Sequence, residues 1–400
     1  MKRALFMTVG TGIGDSKDGI HSLAHGLLYS IKHNRPDKIV FFGSELSKET
    51  VESVKKQYMD DLNEGFMENE FIKIENVDEF NHCFNQIKNK IEEYSDFEVI
   101  IDYTSGTKTM TMSAAICSLL YHKDLVLVYG DRGKNGLVTS QTEEMKTQNL
   151  YLVYDQILFE EVIKLFNHYR FQTAIETLEK TVSLEDKGPY LTLIKGYQAW
   201  DLFDHQKCKE YLTKPEVKKI GKIKDNVNQN LWIVGIISDP QQDNKSSYLV
   251  ADLINNAVRR GEEKKYDDAV ARLYRTIELI AQCILNDKYN LNTSSINRQQ
   301  LSDLEKVQMF KNNKQDKIKI GLQDSYKLLR LRDEAIGEDF IEDNRMKDLL
   351  QKRNNSILAH GLETIPKEIY EELLSKTMEY ASMVFTDLED LMDKAKFPKL

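Results

Sequence analysis

Hydrophobic and polar residues alternate along this chain in two different ways. In the first 150 residues, short apolar runs alternate with longer stretches in which apolar residues recur every three or four positions. The short runs are typical of buried strands, and the longer stretches are typical of amphipathic helices. Strands are predicted at Ala4–Val9, Lys38–Gly43, Phe71–Ile74, Phe97–Tyr103 and Leu125–Gly130. Helices are predicted at Ile20–Ile31, Lys48–Leu62, Phe80–Tyr94 and Thr107–Tyr121. This alternation predicts a mostly parallel sheet with right-handed crossovers.

The remainder of the chain is dominated by helical spacing. Gly136–Tyr154 still holds two β-rich runs, which predict an antiparallel hairpin at the sheet edge. Beyond it, helices are predicted at Ile157–Leu178, Tyr190–Leu212, Ser247–Lys264, Asp267–Leu285, Asp343–His360 and Pro366–Lys394. Thr213–Asn244 is polar and contains two prolines, so it is a candidate boundary. We therefore expect an α/β plus all-α protein: an α/β domain at 1–155, a helical connector at 156–245 and a helical bundle at 246–400.

Composition and charge exclude several classes of protein. The chain has 400 residues, more than one core usually supports, which favours two or three domains. A net charge of −9 argues against an overall basic field for duplex nucleic acid. The four cysteines are scattered without a CxxC pair, which fits a reducing cytoplasm and argues against a cysteine zinc site. Apolar runs are too short for a membrane span or a signal peptide, so we expect a cytoplasmic protein.

Two loops of the predicted sheet carry the residues of a candidate phosphate site. In an open parallel sheet, ligands bind where loops leave the carboxyl ends of the strands. The second loop also opens a predicted helix, whose N-terminal N–H groups and positive dipole end suit a phosphate. Lys108 adds a charge there, and the threonine and serine hydroxyls add hydrogen bonds. The candidate ligand-binding residues are Thr8, Gly10, Thr11, Gly12, Thr104, Ser105, Gly106, Thr107 and Lys108.

Other interpretations of this half were weighed. A dinucleotide site is disfavoured because Gly10, Gly12 and Gly14 fit GxGxG and not the full GxGxxG motif, and Glu45 lies too far along the chain. The glycines also suit ordinary tight turns between strands and helices. His21 and His25 have a spacing that can bind a metal, but no third ligand is apparent, so we expect no metal site.

A second candidate site lies near the end of the chain, at Arg353, Asn354 and His360. On one helix, Arg353 and His360 would lie about two turns apart and near one face. A permanent cation, an amide and a group that titrates near neutral pH can together hold a phosphate and move a proton. Gly361 is placed to be the C′ residue of this helix. The pair also fits a solvated helix face, or a histidine that stabilises a helix C-terminus.

These stretches, in this order, resemble the CARF–HEPN ribonucleases that accompany type III CRISPR systems. In this family the CARF part is a Rossmann-like sheet, and its motifs correspond to Thr8–Gly12 and to the T-x-G-T-K-x-M type loop at Thr104–Met110. The R-x4–6-H motif of HEPN domains corresponds to Arg353-Asn354 and His360, at the long end of the allowed spacing. Tyr266–Arg275 resembles the helix that precedes the catalytic motif in this family. For 155–244 we find no comparable signature.

The resemblance implies a function for each half. It implies that a cyclic oligoadenylate, with four or six adenylates, binds across a dimer of CARF domains. It also implies that paired HEPN domains then cut single-stranded RNA without a metal or other cofactor. Arg353 would stabilise the charged phosphorane, His360 would act as general acid or base, and Asn354 would orient Arg353 or the phosphate. Slow cleavage of the activator, with Thr11 or Thr104 positioning its 2′-OH, is also open. The alternative is a nucleotide-sensing binding module that recruits a partner and cuts nothing.

Overall fold

The computed structural model describes residues 2–11, 17–132, 138–242, 244–311 and 315–400, with the side chains of all but 17–19. The chain forms two compact units, Met1–Gln156 and Ile157–Leu400. The predicted division into three parts stays a prediction. Among the described residues, no helix is long and apolar enough to cross a membrane.

The first unit is a six-stranded sheet flanked by helices. Its strands are β1 (Lys2–Val9), β2 (Lys38–Gly43), β3 (Glu68–Lys73), β4 (Phe97–Asp102), β5 (Asp124–Tyr129) and β6 (Glu144–Gln148). Its helices are α1 (Lys17–Asn34), α2 (Lys48–Leu62), α3 (Phe80–Glu93) and α4 (Lys108–Leu120). The strand order is β3-β2-β1-β4-β5-β6; the first five are parallel and β6 is antiparallel. The predicted α/β architecture is confirmed.

Strand β1 shows why its sequence is apolar at almost every position. Ala4 and Phe6 enter the core on one face of the sheet, and Leu5, Met7 and Val9 enter the core on the other. A strand covered by helices on both faces reads as a continuous hydrophobic run. The strand order reverses between β1 and β4, so the loops that leave their carboxyl ends frame the crevice where such sheets bind ligands.

The edge of the sheet differs from the prediction. Within the described part of 136–154, a single strand, β6, pairs with β5, so the predicted hairpin is wrong. Helix α5 (Tyr151–Asn167) begins directly after β6, and the Asn149 side chain accepts a hydrogen bond from the Tyr151 N–H (3.0 Å). The apolar run that resembled a second strand is therefore the first turn of a helix.

The second unit is helical apart from the two-residue pair β7 (Ile296–Asn297) and β8 (Lys317–Ile318). Helix α5 begins in the first unit and continues into the second, where it is followed by α6 (Phe171–Glu179), α7 (Lys187–Asp201), α8 (His205–Leu212) and α9 (Lys224–Ser238). Next come α10 (Lys245–Glu262), α11 (Tyr266–Tyr289), α12 (Asp303–Met309), α13 (Leu322–Leu331) and α14 (Ala335–Glu342). The last are α15 (Asn344–Asn354), α16 (Lys367–Ser382) and α17 (Leu388–Lys394).

The candidate boundary Thr213–Asn244 contains α9, which buries Val227, Ile233 and Val234, and its role as a boundary stays a prediction. Three helices of this unit were predicted too long: Ile157–Leu178 is divided between α5 and α6, and Tyr190–Leu212 between α7 and α8. The expected final helix, Pro366–Lys394, is two helices, α16 and α17. A single apolar core runs through the unit, and the C-terminal Phe397 closes it by packing on Tyr197 (ring centroids 4.9 Å apart) in the connector region.

Candidate ligand and active sites

The two predicted phosphate loops meet at the carboxyl ends of β1 and β4. These strands pair in parallel, so their ends lie side by side. The Gly10 N–H donates to Ser105 Oγ (2.9 Å), and the Thr8 hydroxyl donates to the Ser105 carbonyl. Thr8 and Ser105 are both buried. Residues that are about a hundred positions apart in the sequence are therefore joined by hydrogen bonds. We call Thr8–Thr11 together with Thr104–Lys108 the corner.

Both glycines of this corner are favoured by their surroundings, Gly106 by its backbone conformation and Gly10 by close backbone approach. Gly106 has φ +113°, a backbone conformation that residues with a Cβ rarely adopt. A Cβ there would lie 3.2 Å from Thr8 Cβ. A Cβ on Gly10 would lie 3.2 Å from the Gly106 nitrogen. The glycines thus let the two loops pack against each other; approach of a ligand to Gly106 stays a prediction.

Helix α4 begins at this corner, so the positive end of its dipole lies there. Thr107 caps the helix: its hydroxyl oxygen accepts from the Met110 N–H (3.2 Å) and donates to the Val77 carbonyl (2.7 Å). Lys108, the first helical residue, is exposed. A helix N-terminus beside an exposed ammonium group favours a phosphate.

Further hydrogen bonds stabilise the corner. Thr104 accepts a hydrogen bond from the Val128 N–H (2.8 Å), and its own N–H donates to Asp102 Oδ1 (2.7 Å). Burial raises the pKa of the Asp102 carboxyl, and hydrogen bonds that include those from Thr104 oppose this shift. Thr50, which no sequence motif singles out, donates to the Gly10 carbonyl (2.9 Å).

The predicted ligand residues therefore divide into two groups. The hydroxyls of Thr8, Thr104, Ser105 and Thr107 hold the loops together. Thr11 and Lys108 are the exposed members of the described candidates. Gly12 lies outside the described residues.

The histidine pair of α1 has separate surroundings. His25 Nε2 lies 2.6 Å from Glu143 Oε1 and 3.2 Å from Ser140 Oγ, whereas His21 is exposed. Within the described ranges, no three His, Cys, Asp or Glu side chains are grouped to hold a metal ion.

The second candidate site is built on α15. Its N-cap, Asp343, accepts from the Met346 N–H (2.8 Å) and from the Tyr380 hydroxyl (3.2 Å), and it pairs with Lys376 Nζ (3.1 Å). Burial opposes ionisation of this carboxyl, but these donors outweigh burial, so the pKa of Asp343 lies below its ordinary value. The start of the helix is thereby fixed against α16.

Arg353 lies in the last turn of α15. Its guanidinium carbon is 4.1 Å from the centroid of the Tyr274 ring on α11, and Nη1 donates to Asn354 Oδ1 (3.2 Å). The side chain is half-buried, and its Nε is buried without a hydrogen-bond partner among the described residues. In that same part of the chain, Arg353 forms no ion pair with a carboxylate. The sequence placed Tyr274 only within a predicted helix and within the stretch Tyr266–Arg275 that resembles the family's helix before the catalytic motif.

His360 is not on the helix of Arg353, so the predicted helix to His360 is wrong. Helix α15 ends at Asn354, and the His360 N–H donates back to the Asn354 carbonyl (3.0 Å). Ser356, which is buried, anchors the intervening turn by accepting from the Ala359 N–H (3.0 Å). Asparagine is a weak helix former, and two in succession at 354–355 end the helix. His360 is exposed beside the helix end, and the backbone joins it to Asn354.

Gly361 is required for a different reason from the one expected. It is not a left-handed C′ residue. A Cβ at this position would lie 1.9 Å from the Asn355 carbonyl oxygen, so the returning turn passes directly over the end of the helix. Any other residue at position 361 would have to displace the turn that carries His360.

Two family models match the second unit. Residues 154–233 match the Csm6 6H domain, and residues 240–384 match the Csm6 HEPN domain. Together the two matches span more than half of the chain. No curated relative matches the sequence.

The fold is similar to solved structures. Enterococcus italicus Csm6 bound to cyclic hexa-2′-fluoro-hexa-dAMP matches with a TM-score of 0.63 and 13% identity, over 98% of both chains. Can2 from Sulfobacillus thermosulfidooxidans in complex with cyclic tetra-adenylate matches 52% of this chain and 65% of its own, with 12% identity and a TM-score of 0.26. The first similarity covers both units and shows a shared fold; the second score is too low to show one.

Proposed function

The chain belongs to the CARF–HEPN proteins of the Csm6 type, and from this premise we propose that it is an endoribonuclease that cyclic oligoadenylate activates in CRISPR antiviral defence. The observation that carries the proposal is Arg353, which is half-buried over Tyr274 without a carboxylate partner among the described residues. A half-buried guanidinium without a counter-charge attracts an anion, and a substrate phosphate supplies that charge. Single-stranded RNA is the proposed substrate.

The proposed reaction needs no metal, because RNA carries its own nucleophile. The 2′-oxygen forms a bond to phosphorus as the bond to the 5′-oxygen breaks, which leaves a 2′,3′-cyclic phosphate and a free 5′-OH. Arg353 stabilises the extra negative charge on the phosphorane. His360 takes the proton of the 2′-OH or gives one to the leaving 5′-oxygen. Asn354 holds Arg353 through its 3.2 Å hydrogen bond.

The proposed activator site is the corner between the loops of β1 and β4. Its hydrogen-bonded frame carries the exposed Lys108 and the N-terminus of α4. Phosphates of a cyclic oligoadenylate suit that cation and that helix end. Rings of four and six adenylates are both compatible with this chemistry.

A homodimer completes both sites in this proposal. A ring of repeated nucleotides has twofold symmetry, which matches an isologous dimer. Each unit carries exposed apolar residues on the segments that contribute to its site: Met112, Ile116 and Leu120 on α4, and Ile357, Leu358 and Leu362 around His360. Such clusters mark association surfaces. Sedimentation velocity tests the dimer, and a monomer at micromolar concentration would contradict it.

A fluorogenic single-stranded RNA assay with a panel of cyclic oligoadenylates tests the function. We expect cleavage to appear with one ring size, to persist in EDTA and to vanish in His360→Ala. Ring binding without cleavage at any ring size would instead support the nucleotide-sensing module that cuts nothing. Chromatography of the ring after long incubation tests whether the first unit also degrades its activator.

A further inference from the structure

The connector region carries a strongly basic segment that the proposed sites leave unused. Between residues 207 and 224 there are seven lysines and two glutamates, in a chain whose net charge is −9. The lysines are Lys207, Lys209, Lys214, Lys218, Lys219, Lys222 and Lys224, and all seven are exposed. We call residues 207–224 the lysine-rich segment.

The segment is held firmly on the core of the second unit. Val217, Ile220 and Ile223 are buried at three-residue intervals, and the lysines between them are exposed. The segment runs from α8 through two 3₁₀ turns into α9, and α8 packs against α9. Its positive charges are therefore fixed in place by buried neighbours rather than carried on a free loop.

The charges of this segment are not neutralised locally. None of its lysines forms an ion pair within the described residues, whereas Lys90 and Lys376 each contact two carboxylates. The two glutamates have neutral partners: Glu210 accepts from Gln206, and Glu216 accepts from Thr192 (2.7 Å). Unpaired, exposed ammonium groups on a fixed frame attract a polyanion and release its counterions on binding.

Aromatic rings accompany these charges. On α9, Lys224, Asn228 and Trp232 are spaced four residues apart and are exposed, so they form one stripe. Trp232 is 55% exposed, and its ring packs edge-to-face with the Tyr248 ring (centroids 5.7 Å apart, 83° between planes). An exposed indole in line with lysines suits an unpaired nucleobase, which stacks on aromatic rings.

We propose that the lysine-rich segment, together with Trp232, is a docking surface for single-stranded RNA outside the active site. The assignment rests on the proposed ribonuclease function, because it is the substrate of Arg353 and His360 that this surface would hold. Unpaired bases favour RNA over an acidic protein, because a protein partner gives Trp232 no base to stack on. Duplex RNA, whose bases are already stacked, would bind through the lysines alone.

Binding is measured on the full chain with a 2′-O-methyl single-stranded RNA of about 16 nucleotides, a length that compact single-strand sites accommodate. This RNA lacks the 2′-OH nucleophile, so binding is read without cleavage. The chain has two tryptophans, and Trp200 is fully buried, so RNA that stacks on Trp232 quenches the exposed indole. We expect saturable quenching that Trp232→Phe removes.

Charge reversal tests the lysines. In Lys218→Glu/Lys219→Glu/Lys222→Glu, we expect RNA affinity to fall about 10-fold or more and the salt dependence, log Kd against log salt, to lose a slope of about 2. The matched control is Lys2→Glu/Lys56→Glu/Lys180→Glu, which changes the net charge equally at three exposed lysines elsewhere. We expect that control to stay within about 2-fold of the unmodified chain.

The outcomes separate this surface from the nuclease. Unchanged RNA affinity in the first triple variant, or equal quenching of Trp232 by polyglutamate, would overturn the assignment to RNA. Failure of every cyclic oligoadenylate to induce cleavage, with binding and quenching as described, would contradict the nuclease and leave the RNA surface standing. Activated cleavage, with no effect of the lysine triple variant on RNA binding, would support the nuclease and overturn the RNA surface.

Discussion

The guanidinium carbon of Arg353 lies 4.1 Å from the centroid of the Tyr274 ring. This contact joins the last turn of α15 to α11, two helices that pack against each other in the second unit. A cation over an aromatic face is attracted by the ring, and the ring cannot neutralise it as a carboxylate would. Tyr274 thus positions Arg353 and leaves its charge available.

We predict that Tyr274→Leu lowers the kcat of RNA cleavage by between about 2-fold and 30-fold, the range that cation–π contacts support. Tyr274→Phe keeps the ring and should stay close to the unmodified rate. Single-turnover rates at saturating activator measure both. Equal losses in the two variants would show that the hydroxyl, and not the ring, is what matters.

The turn between Arg353 and His360 should tolerate no side chain at 361. A Cβ in Gly361→Ala would meet the Asn355 carbonyl at 1.9 Å, so the turn must move and carry His360 with it. Displacing a catalytic group by about 1 Å costs on the order of 100-fold in rate, which we expect in kcat. Gly235→Ala, on the open side of α9, is the control and should cut RNA normally. A fully active Gly361→Ala would mean that His360 does not need this position.

Asp343 should link the stability of the second unit to pH. Its pKa is lowered in the folded chain, so its charge stabilises the fold above the ordinary carboxyl pKa of about 3.9. This contribution is lost as the pH falls through the lower, folded pKa. Asp343→Asn keeps an N-cap but removes the charge, and we expect a loss of roughly 1 kcal/mol near neutral pH.

Urea unfolding of Asp343→Asn and the unmodified chain, compared at several pH values, measures this effect. The difference between them should be constant from neutral pH to about pH 5 and should shrink below about 3.9. A difference that grows in acid would have the wrong sign and would contradict the assignment.

The corner between β1 and β4 should depend on Gly106. In Gly106→Ala the new Cβ meets Thr8 and the backbone is strained at φ +113°, so we expect activator binding to weaken roughly 10-fold. Gly26→Ala, which has open space on α1, is the matched control. Isothermal titration of the cyclic oligoadenylate gives both affinities. Normal binding by Gly106→Ala would place the activator elsewhere.

Much of the first unit was predictable because its elements are strongly patterned. Lys38–Gly43 and Lys48–Leu62 were predicted with the bounds that the structure has. A strand that is buried on both faces and a helix with one apolar face leave little ambiguity. The hairpin at the edge was predicted wrongly because apolar residues such as Leu150 and Tyr151 are as compatible with a strand as with the start of α5.

The candidate sites show where sequence spacing stops being informative. Seven residues on a helix would align Arg353 with His360, but Asn354 and Asn355 end that helix, and the backbone returns through a turn. Tyr274 and Thr50 could not be selected because each acts through a contact with a residue distant in the sequence. The roles of the predicted site residues stay predictions until they are tested in solution.

The most direct measurement is the initial rate of single-stranded RNA cleavage in EDTA, with and without a cyclic oligoadenylate, for the unmodified chain and for His360→Ala. We predict that the ring raises the rate of the unmodified chain by orders of magnitude, yields 2′,3′-cyclic phosphate ends and leaves His360→Ala inactive. Cleavage that is independent of every ring, or equal in the two proteins, would contradict an activated ribonuclease centred on Arg353 and His360.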